Sequence, residues 1–275
     1  MATTRLTPPL KTHGGKGGHQ GKLARWIISR MRPHRNYVEP FFGGGSVLLA
    51  KDPDNVCEIA NDLNHRLTHF WKTLRDGSLF PGFLRLAQAT EFGEGVWAEA
   101  GEKLDDPDPA VRAWAFFVRV RQSLGGRMKE FATLTTNRTR QKMNEQASAW
   151  LSAVGGLPDV HARLRRVAIL NGDALDAIRQ HDGPNTLTYC DPPYLHSTRV
   201  SKDTYGEFEM TEADHRQLLD VLLACKGRVM LSGYPNALYD DALAGWAKHS
   251  FDLPNNASGS KAKGRETEVV WTNFR

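Results

Sequence analysis

Residues 186 to 197 read TLTYCDPPYLHS, and the way this stretch ends decides the fold. Thr186 to Tyr189 has the composition of a buried strand, yet the chain runs on into Asp191, two prolines and Tyr194. Proline has no amide hydrogen to give to a sheet ladder, so the strand must stop here and the chain must leave the sheet. Pro192 and Pro193 stiffen that exit and hold the Asp191 carboxylate at the strand end beside carbonyls that the prolines leave without strand partners. Tyr194 adds an aromatic face. A rigid carboxylate, a carbonyl and a ring together suit a planar aromatic amine. At average residue usage a fixed tetrapeptide such as DPPY arises by chance in a chain of this length with a probability on the order of 10⁻³.

The same strand-then-loop pattern recurs outward from this point. Asn36 to Glu39 enters Pro40-Phe41-Phe42-Gly43-Gly44-Gly45, with a helix expected from Ser46 as its N-cap. Val56 to Ala60 reaches Asn61-Asp62, and Val167 to Leu170 reaches Asn171-Gly172-Asp173 ahead of another helix. Downstream, Thr211-Glu212-Ala213-Asp214 has the form of a capping box before the apolar series Leu218, Leu219, Leu222 and Leu223. Arg228 to Leu231 then reads as a strand, and Ser250 to Leu253 pairs with Thr267 to Trp271. Strands alternating with helices specify an α/β chain built on a parallel sheet. Between Asp62 and Val167 the alternation gives way to helical patterns, as in Ala110 to Val118 after DDPDP. The expected organisation is a catalytic domain from 1–66 and 165–275, interrupted by a helical insertion over 67–164.

Composition narrows the function. The chain has 275 residues, with 36 Lys and Arg against 31 Asp and Glu for a net charge of +5, which permits a polyanionic partner. Cys57, Cys190 and Cys225 are far apart and form no C-x-x-C pair, which argues against a disulfide framework or a zinc site and fits a reducing cytoplasm. No apolar run approaches the ~20 residues of a membrane span.

In an open parallel sheet the ligand crevice lies beyond the carboxyl ends of the strands. Glu39, Asp62, Asp173 and Asp191 all fall there. The Gly43-Gly44-Gly45 turn allows close approach to backbone, and Asp62 follows it at close to the ~20-residue spacing of a ribose-binding acid. The third glycine of G-x-G-x-x-G is replaced by Leu48, so a dinucleotide is disfavoured, and GGKGGHQGKL lacks the glycine and Ser/Thr positions of a P-loop.

On these residues the chain resembles the Dam-type DNA adenine-N6 methyltransferases, which transfer a methyl group from S-adenosylmethionine to adenine. Pro9 to Lys16 resembles the family's P-L-K-W-A-G-G-K element, Tyr37 to Leu49 its F-x-G-x-G loop, Asn61 to Asn64 its N-D-I-N, and Asp191 to Tyr194 its catalytic tetrapeptide. The resemblance implies a Rossmann-like methyltransferase sheet with a mainly helical target-recognition insertion. Asp191, Pro192, Pro193 and Tyr194 would be catalytic. Lys16, Glu39, Pro40, Phe41, Phe42, Gly43, Gly45, Ser46, Asp62, Leu63, Asp173, Ala174 and Asp191 would contact S-adenosylmethionine. Double-stranded DNA would meet Arg127, Lys129, Arg138, Arg140 and Lys142 in the insertion and Lys261, Lys263 and Arg265 near the C-terminus. No metal is implied, and a monomer or weak dimer is expected. Thr12-His13 replaces the family's Trp-Ala, and Leu124 to Lys129 replaces N-G-L-x-R-x-N, so the GATC target is not supported. Cytosine N4 or protein glutamine is disfavoured by aspartate at 191. RNA methylation stays open, as does a DNA-binding module on a degenerate methyltransferase fold, although the tetrapeptide and glycine loop are both intact.

Overall fold

A computed structural model describes residues 6–10, 18–133, 139–140, 142–199, 205–254 and 265–275. Its strands are β1 (Asn36–Glu39), β2 (Cys57–Asp62), β3 (Thr139–Arg140), β4 (Met143–Asn144), β5 (Val167–Asn171), β6 (Thr186–Cys190), β7 (Arg228–Gly233), β8 (Ala247–Pro254) and β9 (Arg265–Thr272). Its helices are α1 (Gly18–Ile28), α2 (His65–Arg75), α3 (Phe80–Ala89), α4 (Glu94–Glu102), α5 (Pro109–Arg121), α6 (Glu145–Gly155), α7 (Leu157–Leu164), α8 (Ala174–His181), α9 (Glu212–Leu223) and α10 (Ala237–Ala242).

Seven strands form one sheet in the order β5-β2-β1-β6-β7-β9-β8. β1 runs parallel to both β2 and β6, β6 parallel to β7, and β9 antiparallel to β7 and β8. The fold is thus the expected α/β class with a mostly parallel, Rossmann-like sheet. Chain order reverses between β1 and β6: the strands following β1 go to one side, and β6 returns to the other. Such a reversal splays the connections apart and opens a crevice at the carboxyl ends of those two strands. Glu39 closes β1 and Asp191 follows β6, so the topology puts both acids at that crevice.

Local chemistry explains the element ends. All five residues of β6 are buried, which a central parallel strand requires. Asn64 caps α2, Asp108 caps α5 ahead of Pro109, and Thr211 with Asp214 forms the expected capping box of α9. In α9, Leu218, Leu219 and Leu222 are buried, but Leu223 is 50% exposed and lies off the apolar stripe. The helix expected from Ser46 does not form: residues 46–50 are successive turns, with Leu49 N bonding Gly45 O at 3.0 Å and Ala50 N bonding Val47 O at 3.1 Å. Mixed i→i−4 and i→i−3 bonding over so few residues is too short to propagate a helix, so Ser46 caps none.

The chain divides into two compact units. One comprises Met1–Ser29, Gly43–Asp52 and Asn64–Asn171; the other comprises Arg30–Phe42, Pro53–Leu63 and Gly172–Arg275. The first is mainly helical, with an aromatic core in which Phe70 stacks on Phe117 at 5.7 Å and Trp150 lies 5.1 Å from Phe117. The second holds the sheet's centre, where Leu218, Leu222, Leu231, Val269 and Trp271 form one buried cluster. Among the described residues, no helix is long and apolar enough to cross a membrane.

Candidate active site

The site is built in the second unit, where β2, β1 and β6 end side by side. Asn61, the penultimate residue of β2, is 1% exposed and works as a tie. Its side-chain amide donates to Pro40 O at 3.1 Å and to Gly172 O at 3.0 Å. Phe42 N returns a bond to Asn61 O at 2.8 Å. One buried amide therefore fixes the exit of β1 and the turn before Asp173, and it precedes Asp62. Burying an amide is tolerable only when its donors are satisfied, so this site holds one geometry. Asp62 is half-buried and Leu63, beside it, is 55% exposed. Asp173 is exposed and caps α8, accepting from Leu175 N at 2.8 Å and Asp176 N at 3.2 Å; Ala174 is the first residue of that helix.

Three buried phenols support the rim. Tyr37 donates to Glu39 Oε2 at 2.9 Å, and Glu39 is itself 3% exposed. Tyr189 and Ser232 share a hydrogen bond of 2.9 Å. Tyr194 donates to Asp191 Oδ1 at 3.1 Å and to Glu268 Oε1. Burial, and then the neighbouring carboxylates, push all three phenols well above their ordinary range. They stay protonated, and Tyr37 and Tyr194 donate to the acids. Tyr194 is 9% exposed, and its ring stands edge-on to Tyr234 with centroids 4.7 Å apart. The structure thus engages the hydroxyl of Tyr194 at the site, whereas the sequence pointed to its face. Pro192 is buried and Pro193 half-buried, as a stiff strand exit demands; Pro40 and Phe42 are buried and Phe41 is half-buried.

The glycine turn belongs to the first unit. Gly43 and Gly45 have φ of 50° and 67°, and a Cβ on Gly43 would meet nothing within 4 Å. The left-handed backbone is thus the reason for glycine at 43, and it faces open space. The turn is braced from its own unit by Trp71 Nε1, which donates to Gly43 O at 3.0 Å, and by Arg163, which donates to Leu48 O at 3.0 Å. Ser46 is buried.

The basic residues of the insertion do not sit on a plain loop. Residues 123–131 are tied into a tight excursion: Ser123 bridges Phe131, Leu124 N bonds Glu130 O at 2.9 Å, and Met128 N bonds Ser123 Oγ at 3.0 Å. Arg119 donates to Met128 O at 2.6 Å while its guanidinium lies over Trp97 at 3.4 Å. This leaves Arg127 and Lys129 exposed at the tip, and Arg140 and Lys142 exposed on the β3-β4 hairpin. Lys16, Arg138, Lys261 and Lys263 lie outside the described residues, as does the side chain of Arg265.

Sequence reasoning missed Asn61 as a tie, the buried phenols Tyr37 and Tyr189, and above all Glu268 on β9. The only signal for Glu268 was a glutamate inside the otherwise apolar run of β9, EVVW, at the position of a buried strand residue. Among the described residues, no group of three or more His, Cys, Asp or Glu side chains could hold a metal ion.

The arrangement suits a ligand bearing a diol, cationic groups and a flat ring with an exocyclic amine. No curated protein matches the chain. Among solved structures, a candidate RNA methyltransferase of Pyrococcus horikoshii is similar at 10% identity with a TM-score of 0.39, over 96% of this chain and 86% of that one. A model of the D12 class N6 adenine-specific DNA methyltransferases matches residues 16–253, and the chain belongs to that family.

Proposed function

We propose that this enzyme transfers a methyl group from S-adenosylmethionine to the N6 of adenine at a specific site in duplex DNA, acting on a base swung out of the helix. The observation that carries the reading is the fixed Asp191 carboxylate at the β1/β6 reversal, held by the Tyr194 hydroxyl at 3.1 Å. S-adenosylmethionine supplies a methyl group already activated on a sulfonium. The rim matches that cofactor chemically, since Glu39 and Asp62 provide carboxylates for its cations and ribose hydroxyls, and Leu63 offers an exposed apolar contact beside Asp62.

Adenine N6 is not reachable inside the base stack, so the base must leave it. Its nitrogen lone pair is conjugated with the ring and weakly nucleophilic. Hydrogen bonds from N6 to the Asp191 carboxylate and the Pro192 carbonyl favour pyramidal nitrogen and stabilise positive charge developing there. Rigid placement of these acceptors by two prolines makes alignment the main contribution to rate. The exposed Arg127, Lys129, Arg140 and Lys142 supply cations for the phosphate backbone. The mainly helical segment over 67–164 serves as the target-recognition insertion.

The test is incubation with radiolabelled S-adenosylmethionine and plasmid DNA from a methylation-free host, followed by nucleoside analysis and sequencing of modified positions. N6-methyladenine confined to one motif is the expected result. Cofactor binding with no methylated DNA would overturn the DNA reading.

A further inference from the structure

Asp191 has a second acid for company. Glu268, on β9, is 3% exposed and meets the Tyr194 hydroxyl, which also reaches Asp191 Oδ1 at 3.1 Å. β7 separates β9 from β6 in the sheet, and Gly233 pairs with Val269, so Glu268 lies one step beyond that pair, level with Tyr234. The Tyr194 side chain thus spans the end of β7 and joins two carboxylates through one oxygen. A single phenolic hydrogen cannot satisfy both acids fully. Two carboxylates that meet at one hydroxyl give a proton a path from one to the other.

We propose that Glu268 is the terminal proton acceptor of the methyl-transfer step, receiving through Tyr194 the proton that N6 sheds to Asp191. The proposal rests on the adenine N6 reading above. Attack by the N6 lone pair forms the nitrogen–carbon bond as the methyl–sulfur bond breaks with its electron pair kept on sulfur. The nitrogen then carries a positive charge and gives one hydrogen to Asp191. Asp191 passes a proton to the Tyr194 oxygen as Tyr194 gives its own to Glu268. The net change is a neutral methylated amine, a neutral thioether, Tyr194 and Asp191 as they began, and a protonated Glu268. Among the described residues, titratable groups facing this chain include Asp191 and Tyr194 after β6, Tyr189 within β6, Glu39 at the end of β1 and Tyr234 after β7. Burial and the neighbouring carboxylates keep Tyr194 and Tyr189 protonated, and Asp191 and Glu268 are the two carboxylates that the Tyr194 hydroxyl contacts.

The experiment is a single-turnover pH–rate profile of N6 methylation for the wild type, Glu268→Gln, Tyr194→Phe and the double variant, with thermal melting alongside. Glutamine keeps an oxygen that accepts from Tyr194 but cannot take the proton. The expected result is a plateau rate in Glu268→Gln lower by on the order of 10²-fold, the small end of general-base contributions. The acid limb should move to lower pH, because Asp191 has lost its like-charged neighbour. Tyr194→Phe cuts the relay from the other end, so the double variant should be no slower than the slower single variant. Wild-type plateau and limb in Glu268→Gln would overturn the proposal while leaving the N6 reading standing. A lower rate accompanied by a lower melting temperature and an unmoved limb would also overturn it, as the mark of a structural role. Absence of N6-methyladenine from the wild type would overturn the parent reading and the relay together.

Discussion

The carboxyl rim of the sheet and the aromatic-cored helical unit place their polar groups in opposite ways. At the rim, polar groups are tied and Glu39, Asn61 and Glu268 are buried: Asn61 spans two carbonyls, Tyr37 holds Glu39, and Tyr194 joins Asp191 to Glu268. In the helical unit the buried space is filled by Phe70, Trp71, Phe83, Phe117 and Trp150, while Arg127, Lys129, Arg140 and Lys142 are exposed on turns. Groups that do chemistry must be held to a fraction of an ångström, which buried hydrogen bonds at rigid strand ends achieve. Groups that meet a polyanion need only charge and reach. The difference predicts that single changes at the rim abolish turnover while sparing affinity, and that changes at the exposed turns do the reverse.

The largest effect belongs to Asp191→Ala. It removes the proposed acceptor for N6 and should lower the methyl-transfer rate by ~10³-fold, since a preorganised polar group is worth that much at a transition state. Circular dichroism should stay near wild type. Transfer at near wild-type rates would break the comparison at its stronger end.

Next comes the packing of the helical unit. Phe117 is fully buried between Phe70, Phe83 and Trp150, so Phe117→Ala leaves a cavity that those rings cannot close. We expect a loss of about 3–5 kcal/mol in urea unfolding. A loss below about 1 kcal/mol would mean that the aromatic cluster is not a packed core.

A third effect tests burial on the sheet side. His215 on α9 is fully buried, its Nδ1 is 2.8 Å from the Tyr239 hydroxyl, and its Nε2 has no hydrogen-bond partner among the described residues. Burial pulls the imidazole down to about 4 from its ordinary 6.5. The unfolded chain therefore binds a proton that the folded chain refuses. Stability from this group is complete above about pH 6.5 and is lost as pH falls toward 4, by about 3 kcal/mol in all. Other carboxylates titrate over the same range, so the measurement is the difference between wild type and His215→Asn. Parallel stability curves for the two proteins would contradict a buried neutral imidazole.

Much of the rim was legible in the letters because its signals are local. Two prolines after a strand fix where Asp191 sits, and β1, β2, β5 and β6 were each marked by apolar runs ending in Asn, Asp or Pro. Ser46 misled because a hydroxyl before apolar residues looks like a cap whether or not enough chain follows to propagate a helix. Glu268 was illegible for a different reason. Its meaning depends on β9 lying across β7 from β6, a pairing between residues more than 70 positions apart that no periodicity encodes. The tie made by Asn61 to Gly172 is non-local in the same way, at 111 positions. Arg119 is a third case: a helix-end arginine reads as a surface charge, yet it stacks on Trp97 and holds the Met128 carbonyl.

The smallest effect is also the one that defines the second half of the comparison. Arg127 and Lys129 stand exposed at the tip of an excursion that Arg119 and Ser123 hold in shape, and Arg140 is exposed on a neighbouring stretch of chain with a hairpin of its own. If these cations neutralise phosphates, each one removed should lower the slope of log affinity against log salt by about 0.9 for duplex DNA, and weaken binding alike on cognate and unrelated sequences. Arg127→Ala, Lys129→Ala and Arg140→Ala should each show this in fluorescence-anisotropy titrations over a series of salt concentrations, with single-turnover rates at saturating DNA close to wild type. A variant that loses discrimination between sequences without a change of slope would instead mark a contact to a base edge, where a bidentate arginine is worth about 1–3 kcal/mol of specificity. Arg127 is the position where the two outcomes are best separated. Positive φ at Gly125, Gly126 and Met128 aims the tip through a backbone shape that a truncated side chain at 127 does not alter. A changed slope or a changed preference there reports on the guanidinium itself, and so on whether the exposed turns carry only charge or also the reading of sequence.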